Sequence, residues 1–262
     1  MTTNICNNRG FAKERIKSDL FSLGIRAGDH VLMHSSFKAL GEFAGGAELF
    51  FEAFLELLGE EGTLIIPTLS YKSVTRDDPV FDVDETPSCI GYLSEYFRTS
   101  VKGAVRSKHP THSCCAKGRL AREFTEGHER DVTPVGENSP FAKLPKFGGK
   151  ILMLGCSARP NTSMHGVEET AEPPYCIDRK NPVKYIIKHD GGIIEQTAFR
   201  HNFYFEDGHH YEQRYDRMLD ILSPDEQSFG KVLAADCYLL DARALWQKGK
   251  EKLEESPFFF VD

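Results

Sequence analysis

Short apolar runs alternate along the chain with segments whose apolar residues recur at helical spacing. The runs DHVLMHSS, TLIIP, HSCCAKG and KILMLG predict buried strands that end at polar residues, proline or glycine. The segments AKERIKSDLFSLG, GAELFFEAFLELLG, IGYLSEYFRTS and RLAREFTEG predict helices, and the first two close at Gly24 and Gly59. An alternation of strands and helices is typical of an α/β fold.

The pattern changes beyond Pro174. VKYIIKHDGGIIEQTAF predicts a β-hairpin around a Gly-Gly turn. Three further segments follow. HHYEQRYDRMLDIL predicts a helix, KVLAADCYLLD predicts a strand, and ARALWQKGKEKLEE predicts a last helix. We also expect a long irregular segment over residues 68–88, which are rich in Asp and Pro. Because the chain shows no repeat and no low-complexity linker, we expect residues 1–262 to form a single domain with an antiparallel insertion at about residues 183–205.

Composition narrows the class of protein. The formal net charge of -7 argues against a nucleic-acid surface and is compatible with cationic partners. No stretch approaches the roughly 18 apolar residues of a membrane span, and the N-terminus lacks the apolar core of a signal peptide. The 7 cysteines include no C-x-x-C pair, so neither a disulfide framework nor a zinc knuckle is indicated. We expect a cytoplasmic protein without nucleic-acid or membrane partners.

Several common catalytic motifs are missing from the sequence. No glycine-lysine pair is followed by serine or threonine as a P-loop requires, and no G-x-G-x-x-G dinucleotide fingerprint occurs. Neither the G-x-S-x-G elbow of α/β-hydrolases nor the H-E-x-x-H zinc motif is present. Any chemistry must therefore use other residues.

Three polar clusters follow predicted strands, where α/β folds concentrate their ligand sites. They are HSSFKALGEFAGG, RSKHPTHS and NTSMHGVEE. In the last cluster, His165 precedes Glu168 and Glu169 at i+3 and i+4, so either carboxylate can hold the imidazole on a helix face. Each cluster also has a plain structural explanation, such as a helix cap for Ser36 or a solvated His–Glu pair.

The clusters occur in an order that resembles the aminoglycoside 3-N-acetyltransferase family. VLMHSSFKALGEFAGGAE, GTLIIPT, RSKHPTHSCCAKG, GENSPFAKL and ILMLGCSARPNTSMHGVEE match that family's motifs across about residues 11–172, and GKVLAADCYLLDARAL resembles its C-terminal end. The resemblance implies a three-layer α/β/α sandwich around a central mixed sheet, with an antiparallel subregion toward the C-terminus. This fold is distinct from the commoner acetyltransferase fold, whose pyrophosphate-binding loop motif is missing here.

The resemblance also implies an activity linked to antibiotic resistance: an enzyme that moves the acetyl group of acetyl-CoA to the 3-amino group of an aminoglycoside. Acetyl-CoA is then the cosubstrate, no metal is expected, and the protein is a monomer or a homodimer. His165 would be the general base, since an alkyl ammonium must lose a proton to become a nucleophile. Glu168 would be the acid that orients the imidazole and stabilises the imidazolium.

Further roles follow by the same resemblance. The expected coenzyme A contacts are His34, Ser35, Ser36, Arg106, Ser107 and His109, with Arg106 or Lys108 available for a phosphate. The expected acceptor contacts are Tyr71, Asp82, Asp84 and Glu169, because an acidic surface suits a polycation.

Other readings stay open. The acceptor could be a nucleotide-linked amino sugar or another amine, and a thioesterase could use the same pair of residues to activate water. Cys156 and Arg159 depart from the family's pattern, which has an apolar residue and commonly an acidic or polar turn there, and Arg159 fits a polycationic acceptor poorly. Cys156 adjoins a buried strand, where inert packing is expected rather than a covalent nucleophile. The histidine-rich segment from His201 to Tyr211 does not strongly resemble the family; it could hold a metal, but loop histidines are usually unligated and no metal is expected there.

Overall fold

The structure is a computed structural model that describes residues 8–204, 208 and 210–262. Its helices are α1 (Arg9–Leu23), α2 (Gly46–Leu58), α3 (Tyr92–Ser100), α4 (Ala121–Thr125), α5 (Pro140–Lys143), α6 (Ser163–Ala171) and α7 (Ala242–Glu255). Short 3-10 turns cover Phe37–Leu40, His128–Arg130, Leu144–Phe147 and Tyr215–Asp220. Within this part of the chain, no helix combines the length and apolar character needed to cross a membrane.

The strands form two sheets. They are β1 (His30–Ser35), β2 (Thr63–Pro67), β3 (Val80–Asp82), β4 (Val105–Arg106), β5 (Cys114–Gly118), β6 (Lys150–Leu154), β7 (Val183–His189), β8 (Gly192–Ala198), β9 (Gln227–Val232) and β10 (Ala235–Asp241). The larger sheet has seven strands in the order β4-β5-β2-β1-β6-β10-β9. β1 is parallel to β2 and β6, whereas β5 and β10 pair antiparallel to the sheet's centre. The sheet is therefore mixed, as predicted.

Helices cover both faces of the larger sheet. Successive residues of a strand point to opposite faces, and the central strands are apolar at both sets of positions. One face packs against α1, α2 and α3; its core residues include Val31, Met33, Leu64, Ile66, Leu152, Phe50, Phe54 and Phe97. The other face packs against α4 to α7; its core residues include Leu32, Ile65, Ile151, Met153, Phe124, Met164, Val167 and Leu245. This arrangement confirms the three-layer α/β/α sandwich.

The smaller sheet contains the predicted hairpin. β7 and β8 pair antiparallel from Val183↔Ala198 to His189↔Gly192, and β3 adds a parallel strand beside β7. β3 lies inside the segment that the sequence predicts as irregular. The assignment of residues 1–262 to a single domain stays a prediction.

Two C-terminal elements differ from their predictions. The predicted helix over residues 209–222 is wrong for the described residues, which form only the turn Tyr215–Asp220. The reason is that the backbone N–H groups of Tyr211, Glu212 and Arg214 donate to the carbonyls of residues 203, 262 and 260 instead of to a helical turn. The strand predicted over residues 231–241 is in fact part of a hairpin, β9–β10, whose turn contains Leu233 in the left-handed region at φ 52°.

Helix α6, which carries His165, is set by local contacts. Asn161 precedes it, and its side-chain oxygen accepts a hydrogen bond from the N–H of Ser163 at 3.1 Å. The helix ends at Ala171, and the next residue, Glu172, is in the left-handed conformation directly before a proline. Gly166 permits close packing on α7, because a Cβ there would lie 2.3 Å from the ring of Trp246.

Candidate active site

A cavity of about 670 Å³ opens where β1, β2 and α6 approach one another, and we call it the main cavity. Its wall includes His34, Ser35, Tyr71, His112, His165 and Tyr215. These residues come from a strand end, two loops, a helix and a 3-10 turn. The fold therefore gathers polar side chains from distant parts of the sequence at one edge of the sheet.

His165 is joined to Glu168 through a tyrosine. The hydroxyl of Tyr215 lies 2.8 Å from His165 Nδ1 and 2.6 Å from Glu168 Oε2. The direct distance from His165 Nδ1 to Glu168 Oε2 is 3.6 Å. Glu168 at i+3 is thus the acid that faces His165, mainly through the tyrosine hydroxyl.

The direction of these hydrogen bonds fixes the tautomer of His165. Tyr215 has one O–H, and it donates to the carboxylate of Glu168. The short contact with His165 must then be an Nδ1–H that donates to the tyrosine oxygen. His165 Nε2 is left with its lone pair. Since the His165 side chain is 17 % exposed and lines the main cavity, that lone pair can act on a bound molecule.

Glu168 is enclosed, with none of its side chain exposed. Its second oxygen accepts a hydrogen bond from the hydroxyl of Tyr175 at 3.0 Å. Burial, followed by the charge of Glu168, raises the pKa of Tyr215 well above its usual range, so this hydroxyl stays protonated. The carboxylate therefore has two tyrosine donors and is placed to stabilise an imidazolium at His165.

Glu169 has other partners. Its Oε1 lies 2.7 Å from His201 Nε2, and both of its oxygens accept from the N–H of Val135, at 2.9 and 3.1 Å. Burial raises the pKa of Glu169 to about 7, and burial lowers the pKa of His201 well below its usual range. Glu169 does not line the main cavity. The structure thus separates the two neighbouring acids that helix spacing alone left equivalent.

Of the predicted coenzyme A contacts, His34 and Ser35 line the main cavity. His34 Nε2 is buried and has no hydrogen-bond partner among the described residues. Burial, and then the nearby charge of His165, lowers the pKa of His34 to about 3, so the ring is neutral. Ser36 does not line the main cavity, and its side chain makes no capping hydrogen bond to the turn that follows it.

Arg106, Ser107 and His109 lie outside the wall of the main cavity. The guanidinium of Arg106 donates to the carbonyls of Thr68, Val83 and Thr86 and to Ser113 Oγ, at 2.6 to 3.0 Å. These bonds use four of its five N–H groups, so Arg106 ties loops together and has little left for a phosphate. It borders a different cavity, of about 510 Å³.

Ser107 and His109 are fully buried. Ser107 Oγ lies 2.9 Å from His128 Nδ1 and accepts from the N–H of Cys114 at 2.9 Å. His109 Nδ1 accepts from the N–H of His112 at 3.1 Å. Both residues therefore shape the loop that carries His112, and neither reaches the main cavity directly.

The predicted acceptor contacts are divided. Tyr71 lines the main cavity and stacks on His112, with ring centroids 6.0 Å apart. Asp82 and Asp84 do not line it, because Asp82 Oδ1 accepts from the N–H groups of Asp84 and Glu85 in a local turn. Among the described residues of the wall there is no aspartate or glutamate.

Sequence reasoning missed four residues of the site. Tyr215, His112 and His201 line the main cavity, and Tyr175 donates a hydrogen bond to Glu168. Tyr215 lies 50 residues from His165, in a segment predicted as an ordinary helix. Part of the histidine-rich segment, residues 205–207 and 209, lies outside the described residues.

Similarity to known proteins extends over most of the chain. The family model described as aminoglycoside 3-N-acetyltransferase matches residues 32–254. The aminoglycoside N(3)-acetyltransferase VII of Streptomyces paromomycinus is 30% identical, over 93% of this chain and 91% of its own length. Among solved structures, AAC-IIIb in a binary complex with CoASH is 25% identical with a TM-score of 0.79, covering 93% of this chain and 96% of that one.

A second solved relative is a mutant of the aminoglycoside acetyltransferase AAC(3)-IVa in complex with gentamicin, 26% identical with a TM-score of 0.77 over 95% of this chain and 90% of that chain. These likenesses span nearly the whole chain and confirm the resemblance of its motifs. The chain belongs to the aminoglycoside 3-N-acetyltransferase family, whose members are acyltransferases.

Proposed function

We propose that the protein transfers the acetyl group of acetyl-CoA to an amine, by direct attack assisted by His165 as general base. The observation that carries this proposal is the hydrogen-bonded series His165–Tyr215–Glu168 at the wall of the main cavity. It leaves one imidazole lone pair at the cavity and a buried carboxylate behind it.

The chemistry needs a proton acceptor of this kind. As the amine nitrogen attacks the thioester carbonyl, it must give up a proton, and His165 Nε2 takes it. The imidazolium that forms keeps its Nδ1–H on Tyr215, while the charge of Glu168 stabilises it. When the carbon–sulfur bond breaks, the same proton is returned to the leaving thiolate. The acetyl group ends on the amine, and free coenzyme A is the second product.

The cosubstrate assignment rests on the wall residues and on the solved relative with CoASH. His34 is neutral, and its buried Nε2 lacks a protein partner among the described residues. An unpaired buried polar atom is costly, so a ligand group that pairs with it would bind favourably. His34 and Ser35 are therefore the proposed contacts to the acetyl-CoA thioester, whereas Ser107 and His109 shape the loop that carries His112.

The first candidate acceptor is the 3-amino group of an aminoglycoside, since relatives carry that name and one is solved with gentamicin. Tyr71 is the proposed acceptor contact on the wall. A second candidate is an amine that also bears a negative charge, such as a nucleotide-linked amino sugar. The observation that favours it is the presence of Arg200 on a described wall without carboxylates; Arg159 also lines the wall, but it pairs with Glu212 and Asp216.

The test is a panel of acceptors with acetyl-CoA. Gentamicin-like and neomycin-like compounds, a nucleotide-linked amino sugar and a blank without amine are compared by thiol release and by mass spectrometry of the product. Acetylated aminoglycoside supports the first candidate, and acetylation of the nucleotide sugar alone supports the second. Amine-independent thiol release with stoichiometric acetate contradicts the transferase and indicates a thioesterase.

A further inference from the structure

Three histidines meet on the wall of the main cavity: His112, His165 and His201. One ring nitrogen of each lies within 4.8 Å of the others. The ring centroids are 4.5 Å apart for His165 and His201, 5.0 Å for His112 and His201, and 6.1 Å for His112 and His165. Proton transfer by His165 does not require this cluster, because Tyr215 and Glu168 already support that residue.

Each of these imidazoles has one nitrogen held by an oxygen atom. The partners are the hydroxyl of Tyr215 for His165 at 2.8 Å, the carboxylate of Glu169 for His201 at 2.7 Å and the hydroxyl of Thr111 for His112 at 2.9 Å. Metal-binding histidines almost always have such a second partner, which fixes the tautomer and the ring orientation. The remaining nitrogens, His112 Nε2, His165 Nε2 and His201 Nδ1, make no hydrogen bond to any described residue.

The proton positions leave lone pairs on these three nitrogens. His165 donates through Nδ1 to Tyr215, and His201 donates through Nε2 to the carboxylate of Glu169. Thr111 Oγ1 lies 2.9 Å from His112 Nδ1, and a hydroxyl oxygen can accept from the Nδ1–H of the tautomer that keeps its lone pair on Nε2.

We propose that His112, His165 and His201 form a binding site for a borderline divalent transition metal, with Zn²⁺ as the representative ion. Three imidazoles plus one open position are a known donor set for zinc. The described wall offers no carboxylate, so Mg²⁺ and Ca²⁺, which take oxygen ligands, do not fit. Zinc–nitrogen bonds of about 2.0–2.1 Å require the rings to draw slightly inward.

A bound zinc ion inhibits the transferase. The metal takes the Nε2 lone pair of His165, which is the atom that would accept the proton of the amine. This consequence rests on the proposed function, whereas the binding itself does not. Removal of the metal by a chelator restores the lone pair, so the inhibition is reversible.

Binding is tested by titrating the full chain, freed of metal, with zinc chloride against a chromophoric competing chelator. We expect one zinc ion per chain and a loss of at least about 10- to 100-fold in affinity for His112→Gln and for His201→Gln. The matched control is His189→Gln. His189 lies in a separate group with Asp84 and Asp190, so this variant keeps the wild-type affinity.

Two further readouts keep the test decisive if a ligand variant folds poorly. Co²⁺ in place of zinc should give the visible absorption of a tetrahedral ion, and Mg²⁺ should not displace it. Glu169→Gln removes only the charge behind His201 and should weaken zinc by about 10- to 100-fold. No zinc binding by the wild type, or a loss confined to His189→Gln, overturns the site.

The inhibition is followed by mass spectrometry of the acetylated product, because zinc also binds the thiol that a colorimetric assay detects. Turnover should fall as zinc saturates and return when EDTA is added. Full turnover at saturating zinc overturns His165 as the third ligand. If the metal-free protein acetylates no amine, the proposed function fails, and the titration still decides the metal site.

Discussion

Replacing Tyr215 with phenylalanine tests the link between His165 and Glu168. The change removes one hydroxyl that lies 2.8 Å from His165 Nδ1 and 2.6 Å from Glu168 Oε2. A hydrogen bond to a charged group contributes about 1.5–3 kcal/mol, and each 1.4 kcal/mol or so of transition-state stabilisation is a factor of ten in rate. The full loss corresponds to roughly 10- to 150-fold in kcat.

The expected loss for Tyr215→Phe lies in the lower part of that range. His165 Nδ1 is already 3.6 Å from Glu168 Oε2, so a small movement of the ring can make a direct contact. We expect kcat to fall about 10- to 50-fold, while KM for acetyl-CoA stays close to the wild-type value. The loss should remain smaller than that of His165→Ala, about 10² to 10⁴ for removal of a general base.

Tyr175→Phe is the matched control. Tyr175 donates to the other oxygen of Glu168, at 3.0 Å, and has no hydrogen bond to His165. Steady-state kinetics of both variants, with thermal unfolding to verify the fold, should show the larger loss of kcat at Tyr215. Two results would refute the proposed series of hydrogen bonds. One is a kcat for Tyr215→Phe that stays near the wild-type value; the other is a loss of kcat in Tyr215→Phe that is no larger than the loss in Tyr175→Phe.

Four further substitutions have expected outcomes. Glu168→Gln should lower kcat nearly as much as removal of the base, whereas Glu169→Gln should cost little, and steady-state kinetics separates them. Cys156→Ala should keep most of its turnover without an acetyl-enzyme in intact-protein mass spectra, because burial raises the pKa of this thiol to about 12. Burial raises the pKa of Asp131 to about 6, so the folded state binds its proton more tightly and this group's contribution to stability falls as pH rises from about 4 to 6. Urea unfolding of Asp131→Asn should show a flatter pH dependence than the wild type; an identical slope would contradict the assignment.

The sequence was sufficient where burial and local signals agree. β1, β2 and β6 are continuous apolar runs because both faces of the sheet are covered, and such runs are visible without a structure. The helices α1 and α2 end at Gly24 and Gly59, as their sequence signals predict. The order of the motifs also predicted that His165 pairs with Glu168, and the structure brings these two side chains to 3.6 Å, while their catalytic roles stay a prediction.

The sequence was insufficient where contacts between distant parts of the chain determine the backbone conformation. Tyr211, Tyr215, Met218 and Leu222 are all buried, and their spacing imitates a helix. The backbone there instead bonds to residues 203 and 260–262, which no local pattern reports. For the same reason the tyrosine beside His165 and the meeting of three histidines could not be predicted, since their positions are set by the tertiary fold.

The assignment of His165 as the general base is tested most directly by the single-turnover rate of acetyl transfer in His165→Ala, measured with the enzyme saturated by acetyl-CoA. The variant lacks the Nε2 lone pair at the wall of the main cavity, while His34 and Ser35 are unchanged. We predict a rate lower by about 10² to 10⁴ with coenzyme A affinity near that of the wild type. A rate within a few-fold of the wild type would contradict the role of His165 as the general base.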